Sequence, residues 1–236
     1  MFLFLKLYLA HLIGDFILQF EELYRLKVRS VWGHLLHVLI HVLVSLIIIY
    51  PYWHQPSIWF FILGLGTVHF IQDVIKYTTQ KKIPAYTFPL FVIDQIFHGL
   101  VVSSVMLLPV SRLVLGFDGA PWDAYYREST WTLYLIAFVL VTFGGSYLLY
   151  NFRKNYIPGT RPDHLITPFE MSHALIERPL IAGIFLFGDS PLIWLFALLA
   201  GIPRLFFPKL RDPLDFSMSF LYSALIGLIF KTWIPH

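Results

Sequence analysis

Long apolar runs constrain this chain more than any other feature. Stretches of roughly 17–22 residues, the length a helix needs to cross a bilayer, occur near 2–20, 32–50, 57–77, 88–108, 131–150, 172–188, 190–207 and 215–232. Backbone amides find no water inside hydrocarbon, so each such segment must close its hydrogen bonds within itself as a helix. The expected fold class is therefore all-α, a polytopic transmembrane helix bundle of about eight spans, with the sixth and seventh the shortest. A hydrophobic fraction of 58% with only 13% charged residues, and a mean hydropathy of +0.70, exclude an ordinary soluble domain. The run from Phe2 to Phe20 lacks a small-residue cleavage pattern and carries His11 and Asp15 inside it, so it reads as a retained first span.

No repeat, low-complexity tract or linker divides the sequence. Residues 1–236 read as a single transmembrane domain, in which 1–108 form a four-helix half rich in ligand-type side chains, 109–130 an outer loop, and 131–236 supporting helices. Two connectors are long. The first, 109–130, contains Gly116, Asp118, Gly119 and Pro121, and the second, 151–171, contains Arg153, Lys154, Pro158, Gly159, Arg161 and Pro162. Lys and Arg are enriched in cytoplasmic loops, and alternating the spans puts thirteen of the seventeen basic residues on one side. That side is expected to be the cytoplasm, with both termini extracytoplasmic and Tyr50, Tyr52, Trp53 and Trp59 as an outer aromatic belt. The formal charge of +3 is small and dispersed, which argues against nucleic acid as a partner.

Within this apolar background, ligand-type side chains recur four residues apart, the spacing that stacks them on one helix face. The first span has His11 and Asp15, the second His37 and His41 with His34 one turn earlier, the third His69 and Asp73, and the fourth Asp94 and His98. About two such pairs would arise by chance, so their depth is the stronger signal. Counting rise per residue from the cytoplasmic helix ends puts all four at one level of the inner leaflet, where an up-and-down bundle would gather them into one ring. Ionisable groups at that depth cost roughly 2.5–3.5 kcal/mol each, and a divalent cation compensates several at once. Cysteine is absent, so any metal is held by nitrogen and oxygen. The expected ligand sphere is drawn from His11, Asp15, His37, His41, His69, Asp73, Asp94 and His98. Gln19, His34, Gln72 and Gln95 are expected to support it from behind. One or two ions are expected, zinc first, with iron or manganese as alternatives. The plain alternative is that each pair hydrogen-bonds neighbouring helices as polar glue.

Further along, Glu170, His173 and Glu177 share a face at the start of the sixth span and form an additional candidate site. Lys76, Arg178 and Arg204 lie at cytoplasmic helix ends and read either as an anion site for a phosphate-like head group or as ordinary positive-inside residues. His54 and His236 fall at the outer surface and His164 in a loop, where solvation explains them.

The string His11-Leu12-Ile13-Gly14-Asp15-Phe16-Ile17-Leu18-Gln19, followed by His34, His37, His41, His69, Asp73, Lys76, Asp94-Gln95 and His98, resembles an uncharacterised family of bacterial integral membrane proteins, a domain of unknown function. The resemblance covers about the first hundred residues, and Glu177-Arg178 is a weaker match. It implies a place in the bacterial cytoplasmic (inner) membrane and no particular chemistry. The placement of ligands is also similar in style to membrane-bound metal-dependent hydrolases.

These features lead to a membrane-embedded metal-dependent hydrolase, with zinc, acting on a lipid or lipid-linked substrate from the cytoplasmic leaflet. His-Glu-x-x-His is absent, which argues against an intramembrane protease. A di-iron lipid desaturase or hydroxylase would use His34, His37 and His41, but adjacent His-His pairs are missing. A proton- or metal-ion-coupled transporter would use the same residues as a relay, although the second half lacks a matching set.

Overall fold

A computed structural model describes residues 1–157, 167–190, 192–207 and 212–234. Arg161, His164, Lys209, Arg211 and His236 lie outside the described residues. Among the described residues all regular structure is helical, and the chain divides into two compact units, Met1–Thr132 and Leu133–His236.

Unit 1 begins with α1 (Phe2–Leu12), which passes into a π turn over Ile13–Ile17. At Leu18 the chain breaks, and the helix that follows, α2 (Glu21–Arg29), leaves at an angle of 87°. The first apolar run is therefore a bent element and not one straight span. After α2, Ser30 adopts an extended conformation and caps α3 (Val31–Ile48), its hydroxyl accepting from the Gly33 amide at 3.2 Å. Pro51 follows the end of α3. Pro56 opens α4 (Pro56–Lys82), and Pro84 follows its end, the positions where a residue lacking an amide proton starts or stops a helix. The next helix, α5 (Thr87–Ser103), is extended at both ends by short 3₁₀ turns. The connector beyond it contains a 3₁₀ turn at Pro109–Arg112 and α6 (Asp123–Arg127). There Asp123 and Asp118 hold the Arg127 guanidinium, pushing its pKa up.

The remaining helices are α7 (Ser129–Val139), a second π turn (Leu140–Gly144), α8 (Gly145–Tyr156), α9 (Pro168–Phe187), α10 (Ile193–Leu199) and α11 (Pro213–Trp233). Among the described residues five helical stretches are long and apolar enough to cross a membrane, six if the bent first pair is counted as one span. By length and composition these helices suggest a membrane protein. The sixth and seventh apolar runs do not join that set. Helix α9 carries Glu170, Glu177 and Arg178, and α10 with the following 3₁₀ turn is too short.

The helices of unit 1 are amphipathic in the inverse sense. On α3 the buried face is Gly33, His34, His37, His41 and Ser45, whereas Leu35, Leu36, Leu39, Leu43 and Ile47 are exposed. On α4 the buried stripe runs Ile58, Ile62, Gly66, His69, Asp73 and Tyr77, and on α5 it runs Thr87, Asp94, His98 and Val102. A soluble helix buries its apolar face. Here the polar residues point inward and the leucines and isoleucines outward, the arrangement that suits helices surrounded by lipid tails. One end of this unit is closed by an apolar layer of Leu3, Leu7, Ile49, Tyr52, Ile58, Ile62, Val102 and Val105. Tyr52 and Tyr126 fasten it by donating to the carbonyls of Leu113 and Ile48 at 2.7 Å and 2.8 Å.

Candidate metal centre

Asp15 sits on the π turn of α1, a helical irregularity that recurs at functional sites. Gly14, immediately before it, lets the His41 ring lie against the backbone: a Cβ there would stand 2.5 Å from His41 Cε1. Nε2 of His37 and Nε2 of His41 each donate to Asp15 Oδ1 at 3.1 Å, and His69 Nε2 lies 3.9 Å from the same oxygen. On the other side, Asp15 Oδ2 faces His11 Nε2 at 3.4 Å and accepts from the Gln95 amide at 3.0 Å.

The four sequence pairs thus converge. Ring centroids are 4.2 Å apart for His41 and His69, 4.3 Å for His69 and His98, and 4.9 Å for His11 and His98. All five imidazoles and Asp15 are at least nine-tenths buried. Burying that many polar groups is costly unless each finds a partner, yet His11 Nε2, His69 Nε2 and His98 Nε2 have no hydrogen-bond partner. His98 is prepared for a ligand: its Nδ1 donates to the Asp94 carbonyl at 2.8 Å, which leaves the lone pair on Nε2.

Three overlapping sets have donor atoms within 4.8 Å of one another: Asp15, His37, His41 and His69; His11, Asp15 and His98; and His69, Asp73 and His98. A tetrahedral ion with bonds of ~2.0–2.1 Å holds its ligands about 3.3 Å apart. The distances of 3.1, 3.1 and 3.9 Å around Asp15 Oδ1 bracket that value. The donor set is nitrogen and carboxylate oxygen, the chemistry of zinc, iron or manganese. These buried His and Asp groups can hold a metal ion.

Two lysines flank the cluster. Lys27 is 2% exposed, and its Nζ lies 2.7 Å from Asp73 Oδ2 and donates to Gln19 Oε1 at 2.8 Å. Its position follows from Gly33, where a Cβ would stand 2.3 Å from the Lys27 backbone nitrogen, so that α2 packs directly on the start of α3. Lys76 donates to Asp94 Oδ2 at 2.6 Å. Asp94 enters none of the three donor sets and instead orients His98, while Gln95 bridges Asp94 and Asp15. His34 Nδ1 stands 3.8 Å from Asp73, and Gln72 Oε1 is buried without a hydrogen-bond partner. Lys27 escaped the sequence reading, because a lysine near a helix end is indistinguishable there from a positive-inside residue.

Residues 3–116 match the DUF3307 family. Its description is protein of unknown function, and the matched stretch includes every residue of the converging pairs from His11 to His98. No curated protein and no solved structure is similar to the chain.

Unit 2 lies outside the DUF3307 segment and contains its own buried charges. Arg204 clamps Glu177 through two bonds of 2.6 Å and 2.7 Å and reaches Asp215 at 2.7 Å. Arg153 pairs with Asp215 and Asp212 at 3.0 Å and 3.1 Å. Arg178 donates to the Ser219 and Ser146 hydroxyls and to the Thr142 carbonyl of the second π turn. Of the additional candidate site, His173 lies 3.5 Å from Glu177, but Glu170 caps α9, accepting from the Thr167 amide and hydroxyl at 2.8 Å and 2.9 Å. That capping box was present in the sequence as Thr167-Pro168-Phe169-Glu170, and it starts the helix earlier than the apolar run does. Of the anion-site residues, Lys76 belongs to unit 1, and Arg178 and Arg204 to unit 2.

Proposed function

We propose that the chain is a membrane-embedded metal-dependent hydrolase that takes a lipid or lipid-linked substrate from the cytoplasmic leaflet of the bacterial inner membrane. The observation that carries this reading is Asp15, buried with Nε2 of His11, His37, His41 and His69 within 4 Å of its oxygens, while Nε2 of His11, His69 and His98 have no hydrogen-bond partner. Asp15, His37, His41 and His69 hold the metal, which we take to be zinc. A divalent cation there would lower the pKa of a bound water towards neutrality and polarise a scissile carbonyl or phosphoryl oxygen. Asp73, 3.6 Å and 3.8 Å from His37 and His69, is the carboxylate assigned to accept the proton, with Lys27 balancing its charge. Gln95 and the Asp94 carbonyl hold Asp15 and His98 in orientation. The topology that goes with this reading has both termini extracytoplasmic and the basic loops in the cytoplasm.

A second reading, an ion-coupled carrier, draws support from one feature: each unit interrupts a helix with a π turn beside its buried polar cluster. One experiment separates them. Detergent-purified wild type, Asp15→Ala and His69→Ala are analysed for metal per chain and incubated with mixed micelles of bacterial phospholipid. Zinc in the wild type, lost in both variants, with chelator-sensitive release of lipid hydrolysis products, is the expected result. Metal-replete protein that leaves lipid intact but passes the ion across proteoliposomes would replace the hydrolase with the carrier, and bound iron with reductant-dependent lipid oxidation would replace it with an oxygenase.

A further inference from the structure

The number and direction of the donors around Asp15 exceed what one ion needs. The Oδ1 side has three imidazole nitrogens, from His37, His41 and His69, and with the carboxylate oxygen these already supply four donors to one ion. The Oδ2 side faces His11 Nε2 at 3.4 Å, and His11, Asp15 and His98 form a second set of donors that lie within 4.8 Å of one another. One nitrogen of each histidine in that set, His11 Nε2 and His98 Nε2, is buried without a hydrogen-bond partner. An ion on the Oδ1 side would leave them so.

From this geometry we infer a dinuclear centre in which the Asp15 carboxylate bridges two divalent cations, Oδ1 to an ion held by His37, His41 and His69, Oδ2 to an ion held by His11 and His98. The inference rests on the metal reading above and deepens it. Several features fit a bridge in particular. Asp15 Oδ1 has His37 and His41 at 3.1 Å and His69 at 3.9 Å, whereas Oδ2 has His11 at 3.4 Å. Gln95 donates to Oδ2 at 3.0 Å, fixing the rotation of the carboxylate while leaving that oxygen a second lone pair. His98 Nδ1 is tied to the Asp94 carbonyl, so its Nε2 is committed to ligation. Asp73, its charge matched by Lys27, stands with His69 and His98 in the third donor set, which takes one imidazole from each half. Two ions sharing one carboxylate sit about 3.5–4 Å apart, the spacing at which a pair stabilises both the attacking and the leaving oxygen of a hydrolysed ester.

Metal-depleted wild-type protein in detergent is titrated with Mn²⁺ as the probe, and bound metal per folded chain is measured alongside low-temperature electron paramagnetic resonance. The expected result is saturation at two ions per chain with the spectrum of a spin-coupled pair. His98→Ala and His11→Ala should each fall to one ion and lose the coupling signature, while His37→Ala should lose the ion on the Oδ1 side. Saturation of the wild type at one uncoupled ion would overturn the bridge and leave the mononuclear reading standing. No binding by folded wild-type protein would overturn both. The wild-type stoichiometry and spectrum decide the matter even if a variant fails to fold.

Discussion

Replacing Gly14 with alanine tests whether the centre depends on the contact between the π turn and the His41 ring. The added Cβ would lie 2.5 Å from His41 Cε1 and 2.7 Å from both ring nitrogens. An ordinary carbon contact is about 3.5 Å, so the ring must retreat by about 1 Å. His41 Nε2, now 3.1 Å from Asp15 Oδ1, would then stand roughly 4 Å away and leave the four-donor set. Two effects on stability oppose each other. Alanine gains up to ~1 kcal/mol over glycine in a helix, and over-packing costs about 1–3 kcal/mol, so the net loss is about 0–3 kcal/mol. Metal affinity should suffer more. Disturbing groups that merely orient a ligand costs ten- to a hundred-fold, so displacing a ligand should cost at least that, or about 1.4–2.7 kcal/mol. The assay pairs isothermal metal titration with thermal unfolding in detergent. Gly64→Ala is the control, because nothing lies within 4 Å of its added methyl, and it should leave both quantities unchanged or raise stability slightly. The reasoning would be refuted if Gly14→Ala bound metal as tightly as Gly64→Ala.

Further outcomes follow from the buried charges and the caps. Lys27→Met should destabilise unit 1 by about 3–5 kcal/mol by stranding the Asp73 charge, and adding Asp73→Leu should restore most of the loss; chemical denaturation of single and double variants measures the coupling. Gly33→Ala should be worse tolerated than Gly14→Ala, because its methyl would meet the backbone of Leu26 and Lys27 at 2.3 Å and neither can swing aside; the yield of monodisperse protein reports it. Arg204→Met should leave Glu177 without its two-bonded partner and cost about 3–5 kcal/mol in unit 2, seen as a lowered unfolding midpoint. Thr167→Ala should cost about 1 kcal/mol and speed amide exchange over the first turn of α9.

Much of this protein was legible in its sequence, for reasons that are local. Apolar length and the absence of water in the bilayer dictate helices. A spacing of four puts His11 with Asp15, His37 with His41, His69 with Asp73 and Asp94 with His98 on common faces whatever the helices pack against, and equal distances from the helix ends put those faces at one depth. Local pattern also explains where such reasoning stopped. Apolarity alone drew the first run straight to residue 20, whereas its helix ends at Ile17 in a π turn and turns by 87°. It also missed the start of α9, which a capping box fixes outside the apolar stretch.

What the tertiary structure decided is rotation and partnership. Helix rotation depends on side chains from elsewhere in the chain, and here Gly14 against His41 and Gly33 against the backbone of Lys27 set the approach of α1, α2 and α3. That packing turns four separate pairs into one cluster around Asp15. It also sorts its carboxylates: Asp73 and Asp94 are matched by Lys27 and Lys76, and Asp15 is left to five imidazoles. A sequence states which residues carry charge, but which charge neutralises which is a matter of a few ångströms between helices far apart in the chain, and only folding determines it.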